Sequence, residues 1–232
     1  MTSTLPTPFE LLRRLPLTAD APEADLLALA RLTRLDHFAR ETVIFSQGDP
    51  ANRIWIVRTG RVKIVHQDEG GREVILEMIS PEELFGGAVL FMPVHPATAK
   101  AMEEVEALSF SSETYEQFVA THSATALKLI RMLERRLHSM MSLQILAGER
   151  VERRLAHFII KMADRCGRPD GDGILITLSL SRQDLADMAG TTLETAIRTM
   201  SRFRSQGLVE TRRGGYLFIP DLEKLRQQAH PW

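Results

Sequence analysis

The chain has 232 residues, enough for one large or two small domains with real hydrophobic cores, and its 44% apolar and 25% charged content excludes disordered chains, collagen and coiled-coil rods. Its net charge of −1 hides an asymmetry: Met1–Glu149 carries 15 Lys and Arg against 20 Asp and Glu, Arg150–Trp232 14 against 10. Only the second part is suited to a polyanion.

No run approaches the roughly 18 apolar residues of a membrane span, and Met1–Pro16 lacks the basic start and apolar stretch of a secretory signal. A cytoplasmic protein with no membrane partner is expected. The single cysteine, Cys166, removes intrachain disulfides and cysteine-built zinc or iron–sulfur clusters.

The spacing of Leu11, Leu12, Leu15, Leu26, Leu27 and Ala30 predicts helix from about Pro8 to Arg34, broken at Pro16 and Pro22. From Thr42 to about Phe110 the period shortens. Val43–Phe45, Ile54–Val57, Val62–Val65, Val74–Leu76 and Ala107–Phe110 read as short strands, punctuated at Gly48-Asp49-Pro50, Thr59-Gly60 and Glu69-Gly70-Gly71. Many short strands with such punctuation indicate a β-barrel or sandwich.

Beyond Tyr115 about fifty residues read as helix. Ala126, Ile130, Leu133, Leu137, Met140, Gln144, Ala147 and Val151 recur in alternating steps of four and three, one continuous stripe with Arg131, Glu134, Arg135 and Arg136 off it. The stripe packs either on the chain's own barrel or against a second copy of the helix. Cys166–Gly173 is the most turn-rich stretch and opens the last module, with the domain joint placed earlier, near Gly148. The expected division is 1–120 for the N-terminal helices and short strands, 121–149 for the long helix and 150–232 for the last module.

Leu180–Gly207 reads as helix, sharp turn, helix. Ser181 with Asp184 resembles a helix-start signal, Leu185 and Met188 supply a buried side, and Gly190 supplies the turn. Thr191 or Thr192 can cap a second helix with inner face Ala196, Thr199, Met200 and Phe203. Leu193, Glu194, Ile197 and Arg198 then share the opposite face. Such a patch suits the major groove of double-stranded DNA: Arg meets guanine O6 and N7, Glu accepts from the cytosine amino group, and aliphatic carbons meet thymine methyls. Arg202, Arg204, Arg212 and Arg213 are candidates for phosphates, which fix position without reading sequence. Gly207–Ile219 reads as a hairpin turning at Gly214-Gly215 and packing through Val209, Leu217 and Ile219, which completes a winged helix-turn-helix.

Together these residues resemble the CRP/FNR family of bacterial transcription regulators over nearly the whole chain. The carrying segments are Phe45–Asp49, Ile56–Val62, Gly71–Glu73, Leu84–Gly87, Ser181–Ala186 and Glu194-Thr195-Ala196-Ile197-Arg198, the last matching the family's Glu-x-x-x-Arg pattern. The resemblance implies an α+β fold: an N-terminal β-roll sensor domain of the cyclic-nucleotide-binding kind, a long dimerisation helix and a C-terminal winged helix-turn-helix. It implies a homodimer joined through Ile130, Leu133, Leu137, Met140, Gln144 and Ala147, a near-palindromic site with TGA half-site cores, and RNA polymerase as a partner. Ser181, Arg182 and Thr192 join the expected DNA contacts.

The effector pocket, expected around Gly86, Gly87, His95, Met140 and Met141, departs from the cyclic-nucleotide pattern of that family. Gly87 stands where a glutamate holds the ribose, His95-Pro96 where an Arg-Ser pair holds the cyclic phosphate, and Met140 and Met141 where two hydroxyl residues meet the base. A buried phosphate would lack its bidentate partner, so cyclic AMP is not expected as effector, and the lack of a cysteine cluster disfavours an iron–sulfur centre.

Leu90-Phe91-Met92 with Ala97-Thr98-Ala99 is similar to the nitric-oxide-responsive, haem-dependent DNR-like branch. That resemblance makes haem a candidate cofactor and His95 its candidate ligand. Histidines in proline-rich loops are ordinarily solvated, however, and methionines on a helical stripe ordinarily pack. His37, His66, His122, His138 and His157 read as surface or helix residues without function, and Cys166 is a candidate redox switch. Two alternatives stay open: a ligand-independent regulator of the same fold, and an enzyme or ligand-sequestering protein using the barrel. Against an enzyme, the chain shows no nucleophilic triad, metal spacing or phosphate loop.

Overall fold

The computed structural model describes residues 5–67, 73–87 and 92–229, leaving aside the side chains of residue 136 and residues 138–147. The chain forms two compact units, Met1–Gly71 with Ile75–Ser139 and Arg72–Val74 with Met140–Trp232.

The first unit opens with α1 (Pro8–Arg14), started by a reciprocal cap in which Thr7 accepts from the Glu10 amide while the Glu10 carboxylate accepts from the Thr7 amide at 2.8 Å. After α2 (Glu23–Arg31) come β1 (Arg34–Phe38), β2 (Val43–Phe45), β3 (Arg53–Thr59), β4 (Val62–Gln67), β5 (Glu73–Ile79), β6 (Leu84–Phe85), β7 (Thr98–Ala101) and β8 (Val105–Ser111). They form two four-stranded sheets, β1-β8-β3-β6 and β2-β7-β4-β5. Phe45, Trp55, Val57, Val62, Phe85, Ala99 and Ala107 fill the space between them.

The other face of the first sheet, Ile54, Ile56, Leu108 and Phe110, packs on Leu11, Leu12, Leu26 and Leu29 of the N-terminal helices and on Tyr115 and Phe118. Burial on both faces explains why β3 reads as an unbroken apolar run instead of an alternating one. The unit continues through α3 (Ser112–Thr121) into α4 (Ser123–Ala147).

The second unit holds α5 (Val151–Cys166), β9 (Gly167–Asp170), β10 (Gly173–Ile176), α6 (Arg182–Met188), α7 (Leu193–Ser205), β11 (Glu210–Thr211), β12 (Leu217–Ile219) and α8 (Leu222–Ala229). Its sheet runs β11-β12-β10-β9. α5 buries Leu155, Ile159, Met162 and Ala163, the stripe that an amphipathic helix presents to a core. Among the described residues no helix is long and apolar enough to cross a membrane.

Two expectations need correction. Arg34 is not helical but begins β1, whose only buried residue is Asp36; its carboxylate accepts from Trp55 Nε1 at 3.2 Å and Arg34 Nε at 2.7 Å. An aspartate at the inward position erased the apolar alternation. Cys166–Gly173, expected to be rich in turns and to open the last module, holds a turn only at Gly171 and Asp172: Cys166 ends α5, and the rest belongs to the β9–β10 hairpin. β9 is a fully exposed edge strand holding a proline, which hides it from hydropathy.

Candidate nucleic-acid interface

Ser181 caps α6 with a reciprocal bond pair: the Asp184 amide donates to Ser181 Oγ at 3.0 Å, and the Asp184 carboxylate accepts from the Ser181 amide at 3.0 Å. The helix stops at Ala189, and Gly190 turns the chain at a φ of +57°, a conformation that favours glycine. The Thr191 amide closes the turn on the Ala186 carbonyl at 2.9 Å. Thr192, not Thr191, caps α7, its hydroxyl accepting from the Thr195 amide at 3.3 Å.

The inner face of α7 is the expected one, with Ala196, Thr199, Met200 and Phe203 all buried. Leu193 and Ile197 are 41% and 42% exposed on the other side, together with Glu194 and Arg198. Among the described residues neither Glu194 nor Arg198 has an ion pair or hydrogen-bonded side-chain partner, so both heads are available to a ligand. Two unpartnered polar heads between two exposed aliphatic side chains form a surface able to meet the mixed donor, acceptor and methyl pattern of base edges.

Of the expected DNA contacts outside α7's outward face, Arg182, Arg204 and Arg213 are exposed. Arg213 sits at the hairpin tip formed by Gly214 and Gly215, both with positive φ, where the Arg212 amide donates to the Tyr216 carbonyl at 2.8 Å. Two arginines are engaged within the protein. Arg212 lies 4.4 Å from the centre of the Phe218 ring and 3.2 Å from Glu210, and Arg202 Nη1 is 2.6 Å from Glu152 Oε1.

Residues of α5 that the sequence reading passed over hold this surface from behind. Arg154 donates to the carbonyls of Glu149 and Gly190, and Glu149 pairs with Arg153 at 2.7 Å. Charges in the first turn of a helix look solvent-directed in a sequence, and only the long-range fold reveals their partners.

On α4, Thr125 and Leu129 are buried and Met132 packs on the core of the first unit, whereas Ile130 and Leu137 are each 61% exposed and Leu133 lies beside them. The helix therefore packs on its own sheet through one face and presents the expected stripe on another. Leu127, also exposed, was not among the expected seam residues. The side chains of Met140, Gln144 and Ala147 lie outside the described residues, as do those of Met141 and His138 and the segments holding Gly70, Gly71, Leu90 and Phe91.

In the first unit His95 is 2% exposed and not solvated, which corrects the usual behaviour assumed for a proline-rich loop. Its ring stacks on Phe45 with centroids 3.7 Å apart, near Trp55, and its backbone is pinned to Gly48 and Asp49. Burial pushes the imidazole below its ordinary pKa, opposed by the Asp49 carboxylate. Gly87 is buried, and a Cβ added there would lie 2.6 Å from Leu84 Cδ2 and 3.2 Å from Ile54 Cδ1. Gly86 turns beside it with φ +78°. His122, read as functionless, is also engaged, in an ion pair with Asp25. Cys166 is half-buried, its Sγ 3.1 Å from the Met162 carbonyl.

Residues 35–122 match the cyclic nucleotide-binding domain family and residues 153–228 the Crp-like helix-turn-helix domain family. The global nitrogen regulator of Synechocystis is 30% identical over 179 residues, 75% of this chain and 80% of that protein. This chain belongs to the CRP/FNR family of bacterial transcription regulators. Another relative of this CRP/FNR regulator, the CRP-like cAMP-activated global transcriptional regulator of Mycobacterium tuberculosis, is 27% identical over 95% of this chain and 99% of its own. Among solved structures, FixK2 from Bradyrhizobium japonicum shares the fold with a TM-score of 0.78 and 22% identity, covering 86% of this chain and 98% of that one. The solvent-facing patch on α7 thus lies within the helix-turn-helix domain of a DNA-binding regulator.

Proposed function

We propose that this CRP/FNR regulator acts as a homodimer whose two α7 helices read a near-palindromic duplex with TGA-type half-site cores, under control of an effector other than cyclic AMP. The observation that carries the reading is the outward patch of Leu193, Glu194, Ile197 and Arg198 on a helix whose opposite face is wholly buried. Arg198 supplies a bidentate donor for guanine, Glu194 an acceptor for cytosine, and the aliphatic pair a surface for thymine methyls. Ser181, Arg182, Thr192 and Arg213 are assigned to backbone contacts, and RNA polymerase is the further partner that family membership implies.

One α7 covers only a few base pairs, whereas two related by a twofold axis enter grooves about 34 Å apart. The exposed Ile130, Leu133 and Leu137 of α4 are assigned to that dimer seam. An effector can act only by favouring one packing of the paired helices over another, and so must bind the two arrangements unequally. Selection of duplexes from a random pool tests the reading. Enrichment of an inverted repeat is expected, and salt-sensitive but sequence-blind retention would overturn it.

The Mycobacterium tuberculosis relative is named for activation by cAMP. Here the position that the family resemblance assigns to the ribose is Gly87, where a side chain would crowd Leu84 and Ile54, and the position it assigns to the phosphate offers His95-Pro96 without a guanidinium. Haem, with nitric oxide as signal, is proposed instead. The buried, neutral imidazole of His95 has no hydrogen bond to its ring nitrogens among the described residues and suits iron ligation. Haem bound there would supply an iron position for a diatomic gas. Phe45 covers one face of the His95 ring and must give way to a porphyrin.

The packing of Phe45, Trp55, Phe85 and His95 favours a second reading, a regulator of the same fold that needs no ligand. A Soret band that appears with haemin and is lost in His95→Ala separates the two.

A further inference from the structure

The arginines on the DNA side of the second unit fall into two groups. Arg182, Arg198 and Arg213 are exposed and form no ion pair among the described residues. Arg202, equally exposed, is held by Glu152 with Nη1 2.6 Å from Oε1. Arg202 follows Glu194 and Arg198 in steps of four, so it is the next side chain along the same row of α7, one turn beyond the base-reading pair. Glu152 comes from the first turn of α5 and keeps a third of its side chain in solvent.

We propose that Glu152 competes with DNA phosphate for Arg202 and thereby sets the strength and salt dependence of DNA binding without changing sequence preference. The inference rests on α7 being the DNA-facing helix. An ion pair this exposed gains little in water, because both heads are well solvated and screened. A phosphate accepts the guanidinium bidentately, and its neutralisation releases counterions from the duplex, so phosphate displaces the carboxylate. The displaced Glu152 is then a bare anion beside the DNA backbone and draws a cation back. Each protomer thus releases about one ion fewer than an unmasked arginine would. Phosphates carry no sequence information, so the handicap falls on every duplex alike.

The test uses the full-length protein and two duplexes of equal length, one of random sequence and one recovered from a random pool by the wild type. Affinities are measured by fluorescence anisotropy across a salt series for Glu152→Gln, Arg202→Gln and the double variant, with Glu152→Ala as a second form of the first change. Glu152→Gln and Glu152→Ala should bind both duplexes about two- to tenfold more tightly, with a salt slope steeper by up to about one per protomer. Arg202→Gln should bind both more weakly, and adding Glu152→Gln to it should restore clearly less than the same change gains in the wild-type background, because only the cost of the bare carboxylate beside the DNA remains to be removed. An equal gain in the Arg202→Gln background would mean that bulk charge is responsible and would overturn the proposal. So would a loss confined to the selected duplex, which would make the pair a brace between α5 and α7. A wild type that binds neither duplex overturns the DNA-facing assignment of α7 itself.

Discussion

Arg154 Nη2 donates to the Gly190 carbonyl at 3.3 Å while its Nη1 donates to the Glu149 carbonyl at 3.2 Å, so one guanidinium joins the segment after α4 to the turn that launches α7. Both bonds are partly shielded from water and charge-assisted. Arg154→Met should lower unfolding stability by about 1–3 kcal/mol and weaken binding of a selected duplex beyond that of random DNA. Arg154→Lys should recover the stability better than the discrimination, because an ammonium cannot reproduce the planar fork. Thermal melts beside anisotropy titrations check this, and discrimination unchanged in both variants would remove Arg154 from the positioning of α7.

Among the described residues Arg198 has no competing partner, so its truncation should remove a ligand contact and little else. Arg198→Ala should cost about 1–3 kcal/mol on the selected duplex, relax the choice at one base of each half-site, and leave random-sequence binding nearly unchanged. A footprint that keeps full discrimination after the change would refute the assignment.

The contrast between Arg198 and Arg202 shows how far the sequence could be read. Positions in α7 follow from helical period, so the buried set Ala196, Thr199, Met200 and Phe203 and the exposed set around Glu194 and Arg198 were both legible before any coordinates. The cap at Ser181 was legible for the same local reason, and that of α7 was narrowed to Thr191 or Thr192, of which Thr192 is the cap. Nothing local links Glu152 to Arg202, fifty residues apart, or Asp36 to Trp55, and those pairings emerge only when distant elements pack. β1 was missed because its one inward residue is charged, and the burial of His95 because a proline-rich loop gives no hint that an aromatic cluster will close over it.

At Gly87 a first side-chain carbon would meet Leu84 Cδ2 at 2.6 Å and Ile54 Cδ1 at 3.2 Å, so the ends of those side chains would have to shift to admit it. Gly87→Glu should therefore destabilise the first unit by about 1–3 kcal/mol through overpacking and should not create cyclic AMP binding. Wild-type protein should melt at the same temperature with and without cyclic AMP, since a ligand binding only the folded state would raise it. A concentration-dependent rise would show that the nucleotide binds despite Gly87 and His95.

Ile130 and Leu137 are each 61% exposed on α4, two turns of helix apart along the stripe. In the proposed dimer both enter the seam, where a charge would be buried without a partner. Ile130→Glu or Leu137→Arg should shift sedimentation toward monomer and abolish the selected-duplex complex, while circular dichroism stays that of the folded chain. A variant that remains a dimer would place the seam elsewhere.

His122 ends α3 immediately before α4, its ring stacked on Phe118, with Nδ1 2.8 Å from the Phe118 carbonyl and Nε2 3.0 Å from the Asp25 carboxylate. Both partners can only accept, so the ring satisfies both only when it carries two protons. Burial pulls its pKa down, but the Asp25 hydrogen bond and the Phe118 carbonyl outweigh that and the net shift is upward. A raised native pKa means that the protonated form stabilises the fold fully below the unfolded value of about 6.5 and is lost as pH rises through the native value. Wild-type melting temperature should therefore fall between about pH 6 and pH 8 more steeply than that of Asp25→Asn, whose amide removes the charge that holds the proton. The difference between the two profiles isolates this site from every other titrating group, and superimposable profiles would mean that the Asp25–His122 contact contributes nothing to the fold in that range.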